Sequence, residues 1–255
     1  MGELRVENLT KTYQTKEGWN LTRSLRVFDG INFTVGDGEF VSLIGTSGCG
    51  KSTLLNMAAG LSDVTGGQVL VNGKPVTGPG LDRGVVFQEF ALFPWLTVLG
   101  NVAFGLKSKG ITGKRQNEIA RKYVDLVGLS GFENYYPYRL SGGMRQRVGL
   151  ARALAVEPAA LLMDEPFGAL DAQTRETMQN ALADIWLTTR RTILFITHDI
   201  REAIYLSDRV LVLSGRPAHL SMELKVDLPR PRERRDAIFQ EYELRLEQAI
   251  AGSSS

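Results

Sequence analysis

Short apolar runs of strand length recur along this chain and alternate with polar or glycine-containing segments. In the first third, residues 4–13 and 27–35 predict two strands, and the polar segment 14–26 predicts the connection between them. Residues 68–71, followed by Asn72-Gly73, predict one arm and the turn of a β-hairpin. The beginning of the chain is therefore expected to be rich in antiparallel β-structure.

Farther along, strand runs alternate with helical patterns. Apolar positions at three- and four-residue spacings predict helices over 97–129 and 142–156, and an amphipathic helix over 235–250. The strand runs between them are 84–87, 160–163, 192–197 and 209–213. Alternation of this kind is typical of parallel βαβ units with helices on both faces of a sheet, so the expected fold class is α/β.

One glycine-rich loop stands between a strand and a helix. The apolar run 40–44 leads into Gly45-Thr46-Ser47-Gly48-Cys49-Gly50-Lys51-Ser52, and Thr53 opens a helical stretch. In a GxxxxGK[ST] loop the backbone N–H groups surround phosphates, the lysine reaches the outer phosphates and the last hydroxyl ligates Mg²⁺. A plain glycine-rich turn has a similar composition, but the strand and helix on either side favour a nucleoside triphosphate site.

A pair of acids follows the apolar run 160–163. A strand that ends beside the glycine-rich loop would place Asp164 near Mg²⁺. Glu165, one residue on, would then orient and deprotonate the attacking water. The alternative is an ordinary helix N-cap, which also favours acidic residues.

A second helix start carries glycines. Ser141 is placed to cap the helix predicted at 142–156, and Gly142 and Gly143 let the backbone approach an anion closely. This helix start cannot easily reach the same nucleotide from the same domain. It either binds another ligand or serves a nucleotide that another copy holds.

Composition narrows the function classes only modestly. The 255 residues suffice for one large α/β domain or two small ones, and the net charge of +2 is too small to indicate a nucleic-acid partner. A single cysteine excludes an internal disulfide. No apolar stretch reaches the roughly 18–20 residues of a membrane span, and the polar start is unlike a signal peptide. Any membrane role is therefore expected to depend on a partner.

Taken in order from residue 3 to 214, these motifs resemble those of the ATP-binding subunits of ABC transporters. Residues 45–52 look like Walker A, 140–146 like the signature motif and 161–165 like Walker B. Gln88 resembles the Q-loop glutamine, Asp171 the D-loop aspartate and His198 the switch histidine. The resemblance implies a P-loop NTPase fold with a mixed sheet core, an antiparallel β subdomain and a helical subdomain at about 90–150.

The resemblance also implies the ligands and the partner of the site. ATP and Mg²⁺ are the expected cofactors, with Ser52, Gln88 and Asp164 as metal ligands and with Glu165 and His198 as catalytic residues. The family forms a head-to-tail dimer, in which the signature residues of one subunit contact the ATP of the other. In this chain they are Ser141, Gly142, Gly143 and Met144. Whether the second subunit is identical or a paralogue stays open.

Two positions bear on how well the family pattern fits. Tyr13 matches the aromatic residue that stacks on adenine, although Trp19 in the long polar segment competes for that role. Met144 stands where the commonest signature motif has glutamine, and Thr46 replaces a frequent proline.

Shorter markers, at 78–84 and 228–232, are similar to importers of nitrate, sulfonates, taurine and bicarbonate. That similarity implies a transmembrane permease that contacts residues 88–96, and indirectly a periplasmic or lipid-anchored solute-binding protein. The expected location is the cytoplasmic face of the bacterial inner membrane, with no nucleic-acid partner. The alternatives are a soluble ABC ATPase that acts on nucleic acid or ribosomes, and a nucleotide sensor without hydrolysis.

The expected domain division follows from the same resemblance. Residues 1–214 are predicted to form the ATPase domain, and 215–255 a short C-terminal extension with one helix and a flexible tail.

Overall fold

The computed structural model describes residues 2–17 and 21–252, so Trp19 lies outside the described residues. The strands are β1 (Leu4–Glu17), β2 (Leu21–Val35), β3 (Phe40–Gly45), β4 (Gly66–Val71), β5 (Lys74–Pro75), β6 (Arg83–Val86), β7 (Ala160–Asp164), β8 (Thr192–Ile196), β9 (Arg209–Ser214) and β10 (His219–Lys225). The helices are α1 (Lys51–Ala59), α2 (Val98–Ala103), α3 (Gly113–Leu126), α4 (Gly142–Ala155), α5 (Ala172–Thr189), α6 (Ile200–Leu206) and α7 (Ala237–Ala251). Short 3₁₀ helices add Phe104–Lys109 and Pro137–Arg139.

Two sheets organise these elements. The larger has the order β10-β9-β3-β8-β7-β6 and is parallel except for the antiparallel edge strand β10. The smaller is antiparallel, with the order β2-β1-β4-β5. Helix α1 packs between the two sheets, and the fold is the α/β P-loop NTPase fold that the sequence predicts.

The parallel sheet positions the site. Every residue of β3 is buried, and its carboxyl end leads directly into the glycine-rich loop and α1. Strand β8 separates β3 from β7, and Asp164 at the end of β7 lies opposite Ile196 at the end of β8. Because the carboxyl ends of parallel strands meet at one edge of a sheet, the loop, the acids after β7 and the residues after β8 converge there.

The largest apolar cluster packs helices α2 to α5 against one face of this sheet. It includes Phe40, whose ring contacts that of Trp186 edge-on and that of Phe195 at a tilt. A separate cluster joins α6 and α7 to β9, with Phe239 and Leu246 of α7 fully buried. Ile238, which the helical pattern places on the same stripe, is instead 52% exposed.

The prediction that 14–26 connects two strands is wrong. Strand β1 continues through Glu17 and β2 begins at Leu21, and the pairing includes Tyr13 with Leu25 and Gln14 with Ser24. Antiparallel pairing satisfies the backbone polar groups of this ribbon, and these four side chains are exposed. The alternation that marks a half-buried strand is therefore missing.

The continuous helical pattern over 97–129 is divided in the structure. Helix α2 passes into a 3₁₀ helix that ends at Gly110 with φ 74°, and α3 then begins at Gly113, whose φ is 64°. Strand β10 was not predicted, because most of its residues face solvent at the sheet edge. The division at residue 214 stays a prediction.

Among the described residues, no helix combines the length and the apolarity that crossing a membrane requires.

Candidate nucleotide site

The loop after β3 leaves the first backbone N–H groups of α1 available. Gly50 occupies the N-cap position with φ 103°, and no side chain caps the helix. A Cβ at Gly50 would lie 2.6 Å from Cγ1 of Val27, so only glycine fits the close approach of β2. The open N–H groups and the positive end of the helix dipole together favour an anion at this point.

Lys51 is held inside the loop. Its Nζ donates to the carbonyl oxygens of Gly45 at 2.8 Å and Thr46 at 3.1 Å, and the residue is buried. Among the described residues, no carboxylate lies within ion-pair distance of this ammonium group. A buried cation without a carboxylate partner favours binding of an anionic ligand.

Ser52 and Asp164 meet beside the loop. The Ser52 hydroxyl donates to Oδ1 of Asp164 at 3.1 Å. Burial raises the pKa of Asp164 and the Glu165 charge adds to this, while the Ser52 hydrogen bond and Lys51 act in the opposite direction.

The oxygen donors at this point suit Mg²⁺. Mg²⁺ in nucleotide sites is usually bound through one or two protein oxygens together with phosphates and water. The described residues contain no cluster of three or more His, Cys, Asp or Glu that would hold a metal alone. Ser52 and Asp164 therefore fit a cation that arrives with a nucleotide.

Glu165 and His198 form a direct contact. Oε2 of Glu165 lies 2.9 Å from Nδ1 of His198, with the donor set by the histidine tautomer. The Glu165 backbone N–H donates to the carbonyl of Ile196 at 2.9 Å, which ties the end of β7 to the end of β8. The His198 side chain is mostly exposed to solvent, whereas the Glu165 side chain is mostly covered.

One cavity of about 490 Å³ brings these groups together. It is lined by the six loop residues Ser47, Gly48, Gly50, Lys51, Ser52 and Thr53 and by Tyr13, Leu25, Val27, Glu165 and His198. Of the other loop positions, Cys49 is buried, and Gly45 and Thr46 supply the carbonyls that hold Lys51. The predicted residues of the phosphate loop and of the acid–histidine pair thus share one site.

Tyr13 reaches the same cavity from β1. Its ring is 41% exposed, and Nζ of Lys11 lies 4.8 Å from the ring centroid. Leu25 and Val27 of β2 also line the cavity, and sequence reasoning missed both. Nothing in their local pattern marks them, because they reach the site only through the pairing of β1 with β2.

Asp164 does not line this cavity itself but contacts Ser52, which does. Three other predicted groups lie away from it. Gln88 lines a separate cavity with Phe90 and Arg145. Asp171 caps α5 by accepting from the Thr174 N–H at 3.0 Å, and this backbone hydrogen bond lowers the pKa of Asp171.

Ser141 is the third, and it caps α4 by accepting from the Met144 N–H at 3.3 Å. Ser141, Gly143 and Met144 line a smaller cavity that the phosphate loop does not share. Within one chain, the two glycine-bearing helix starts are therefore separate.

Comparison with known proteins adds a family to this geometry. The model of the ABC transporter family matches residues 28–168. An ABC transporter ATP-binding protein of Methanocaldococcus jannaschii is 53% identical over 240 residues, or 94% of this chain and 88% of that protein. The nitrate import ATP-binding protein NrtD of Synechocystis is 50% identical over 230 residues, which cover 90% of this chain and 85% of that protein. The taurine import ATP-binding protein TauB of Burkholderia thailandensis is 48% identical over 230 residues, which cover 90% of this chain and 86% of that protein.

A solved structure shows the same fold. The ATP-binding cassette MJ0796, solved as a dimer in a post-hydrolysis state with ADP and Pi, superposes with a TM-score of 0.74 at 32% identity. The match covers 89% of this chain and all of that chain.

Proposed function

This chain belongs to the ABC transporter family of ATP-binding subunits, and we propose that it powers import of a small anion through a membrane permease. Members of this family are ATPases coupled to transport, and ATP is the nucleotide. The proposed solutes are nitrate, a sulfonate, taurine or bicarbonate. Support comes from the nitrate and taurine import systems named for two relatives at 50% and 48% identity.

The observation that carries the catalytic proposal is the Glu165–His198 pair, 2.9 Å apart in the cavity of the phosphate loop. The loop N–H groups and Lys51 would bind the phosphate chain. Glu165 would orient the attacking water and accept its proton, and His198 would contact the γ-phosphate. Tyr13 would stack on the adenine.

Mg²⁺ is proposed to join the nucleotide at Ser52 and Asp164, with Gln88 as a third ligand on the family pattern. When bound, it would neutralise phosphate charge. The hydroxyl and carboxylate that already meet at 3.1 Å support this assignment.

The proposed active form is a head-to-tail pair of ATP-binding subunits with two ATP molecules between them. Residues 141–144 start α4 away from the phosphate loop of their own chain, so they are available to the ATP of a partner. The dimeric structure of MJ0796 supports a pairing of this kind. Asp171, at the start of α5, is proposed to lie in the same interface.

Residues 88–96 are proposed as the permease contact. Within them Trp95 is 70% exposed, and its ring lies 5.5 Å from that of Phe93, which in turn packs on Phe104. An exposed aromatic cluster suits a helix of a partner protein. The permease would place this chain at the cytoplasmic face of the inner membrane and connect it to a solute-binding protein.

Purification of the protein from its native membrane in mild detergent tests the transport proposal. The expected result is that a multi-span permease co-purifies and that Trp95→Ala reduces its recovery severalfold. Leu244→Ala, which truncates another exposed apolar residue on α7, is the matched control and should leave recovery unchanged. Recovery only in the soluble fraction, with ribosomes or DNA-repair proteins, would favour the soluble alternative instead.

A further inference from the structure

Arg216 lies against Gly48 of the phosphate loop. A Cβ placed on Gly48 would be 2.6 Å from Nη2 of Arg216, so the guanidinium covers the backbone of the loop at that residue. Arg216 follows β9, whose Leu213 carbonyl fills the space where a Cβ of Gly45 would stand. The turn after β9 thus packs on both the start and the middle of the loop.

The turn that carries Arg216 is anchored to the rest of the fold. The Ala218 N–H donates to the carbonyl of Val27 at 2.7 Å, and Ala218 also forms a bridge with Phe28 of β2. On the other side, Gly215 has φ 82° and lies close to the His219 ring. These contacts hold both ends of the turn, which limits how far Arg216 moves from the loop.

The charge of Arg216 is not neutralised by the described part of the chain. The side chain is exposed, and among the side chains that the structure describes it has neither a hydrogen-bond partner nor a carboxylate within ion-pair distance. Its neighbour Arg26 differs, because it pairs with Asp29 at 2.6 Å. Of two arginines beside the loop, only Arg216 keeps its donors for a ligand.

The space around Arg216 adjoins the nucleotide cavity. Arg216, Arg26 and Cys49 line a smaller cavity of about 260 Å³. Its remaining walls, Leu25, Val27 and Gly48, also line the nucleotide cavity. The guanidinium therefore lines a space that shares three walls with the nucleotide cavity, beside the loop that is proposed to hold phosphates.

We propose that Arg216 is a further nucleotide-binding residue, whose guanidinium donates to a phosphate oxygen of the bound ATP. The inference rests on the proposed function of the loop and adds a cation from outside its sequence motif. A planar guanidinium presents several donors to phosphate oxygens, and charge-assisted hydrogen bonds of this kind are stronger than neutral ones. Arg216 would thus act together with Lys51, from the turn after β9, the strand that pairs with β3.

Calorimetric titration with ATP in EDTA, which prevents turnover, tests this assignment. The expected result for Arg216→Ala is a dissociation constant about threefold to tenfold higher, with a weaker dependence of binding on salt. Arg216→Gln keeps much of the packing on Gly48 but not the charge, so it should lose as much affinity as Arg216→Ala. Arg216→Lys should fall between the wild type and these variants.

Arg26→Ala is the matched control, because it removes a neighbouring arginine whose charge is already paired, and it should change the dissociation constant by less than about twofold. An unchanged affinity for Arg216→Ala, or wild-type affinity for Arg216→Gln, would overturn the inference. If Lys51→Ala abolishes binding while the Arg216 variants bind normally, only this inference fails. Normal ATP binding by Lys51→Ala would instead contradict the assignment of residues 45–52 as the phosphate-binding loop.

Discussion

Helices α1 and α4 both have glycine at their N-termini, but the two N-termini differ in what surrounds them. The start of α1 is left uncapped by side chains, and Lys51, Asp164, Glu165 and His198 gather around it. The start of α4 is capped by its own Ser141, and neither Glu165 nor His198 lines the cavity beside it. The first therefore gathers the groups that are proposed to bind and hydrolyse ATP, whereas the second is a helix start without them.

This difference indicates where a second ATP-binding subunit, whether a copy of this chain or a paralogue, would contribute. A helix terminus attracts an anion, but hydrolysis also requires a positioned base and a place for the metal. With Glu165 as the proposed base and Ser52 and Asp164 as the proposed metal ligands, one chain would supply all of these groups at α1, and its α4 start would be a separate contact. The pairing of α1 of one subunit with α4 of another, as proposed above, would use both.

The largest effect is expected from the base. Glu165→Gln should lower ATP turnover by about 10²–10⁴, because the attacking water loses its proton acceptor. ATP affinity should change little, and the dimer should accumulate with ATP in size-exclusion chromatography. Glu223→Gln, an exposed glutamate on β10, is the control for the same chemical change. Near-normal hydrolysis by Glu165→Gln would remove Glu165 as the base.

Lys51→Ala should weaken ATP binding by about 10- to 100-fold, since the phosphates lose a buried cation. Equilibrium titration with ATP measures this directly. Lys74→Ala removes an exposed lysine from β5 and should leave the dissociation constant unchanged. Equal affinity in the two variants would contradict the role of the α1 start as the phosphate site.

A smaller, different effect is expected at the other helix start. Ser141→Ala should lower turnover about tenfold at saturating ATP and cost about 1 kcal/mol of unfolding free energy through the lost cap. ATP affinity at protein concentrations too low for dimers should not change. Ser130→Ala, in the turn after α3, serves as the control for turnover. Weakened ATP binding by the Ser141→Ala monomer would show that the two helix starts are not separate.

The smallest effect concerns the stability of the empty site. Burial raises the pKa of Asp164, so the folded chain binds this proton more tightly than the unfolded chain does. The carboxylate therefore destabilises the fold above its folded-state pKa, and the penalty disappears as the pH falls below the unfolded-state value of about 3.9. Asp164→Asn should accordingly melt at a higher temperature than the wild type at pH 7.5, with a gain that shrinks toward pH 4.5.

Differential scanning calorimetry in the absence of nucleotide measures this gain. Asp63→Asn, at an exposed position before β4, is the control for the same chemical change. A lower melting temperature for Asp164→Asn at pH 7.5 would mean that the hydrogen bond from Ser52 outweighs the burial of the charge.

Sequence and structure agree best where the signal is local. The phosphate loop, the strand before it and the helix after it are contiguous in the chain. Residues 40–59 alone therefore predict the strand, the loop and the helix. Agreement was poorer for the β1–β2 ribbon, where exposed polar residues are paired in strands. Ribbon pairing depends on backbone hydrogen bonds, which the polarity of side chains does not report.

The sequence by itself determined the α/β fold class, the phosphate loop and the types of residue that serve it. Only the tertiary structure placed Glu165 against His198, 33 residues apart, and Arg216 against Gly48. The physical reason is that these contacts depend on the order and register of β3, β7, β8 and β9 in the parallel sheet. Packing across the whole core sets that register, and no local pattern of polar and apolar residues encodes it.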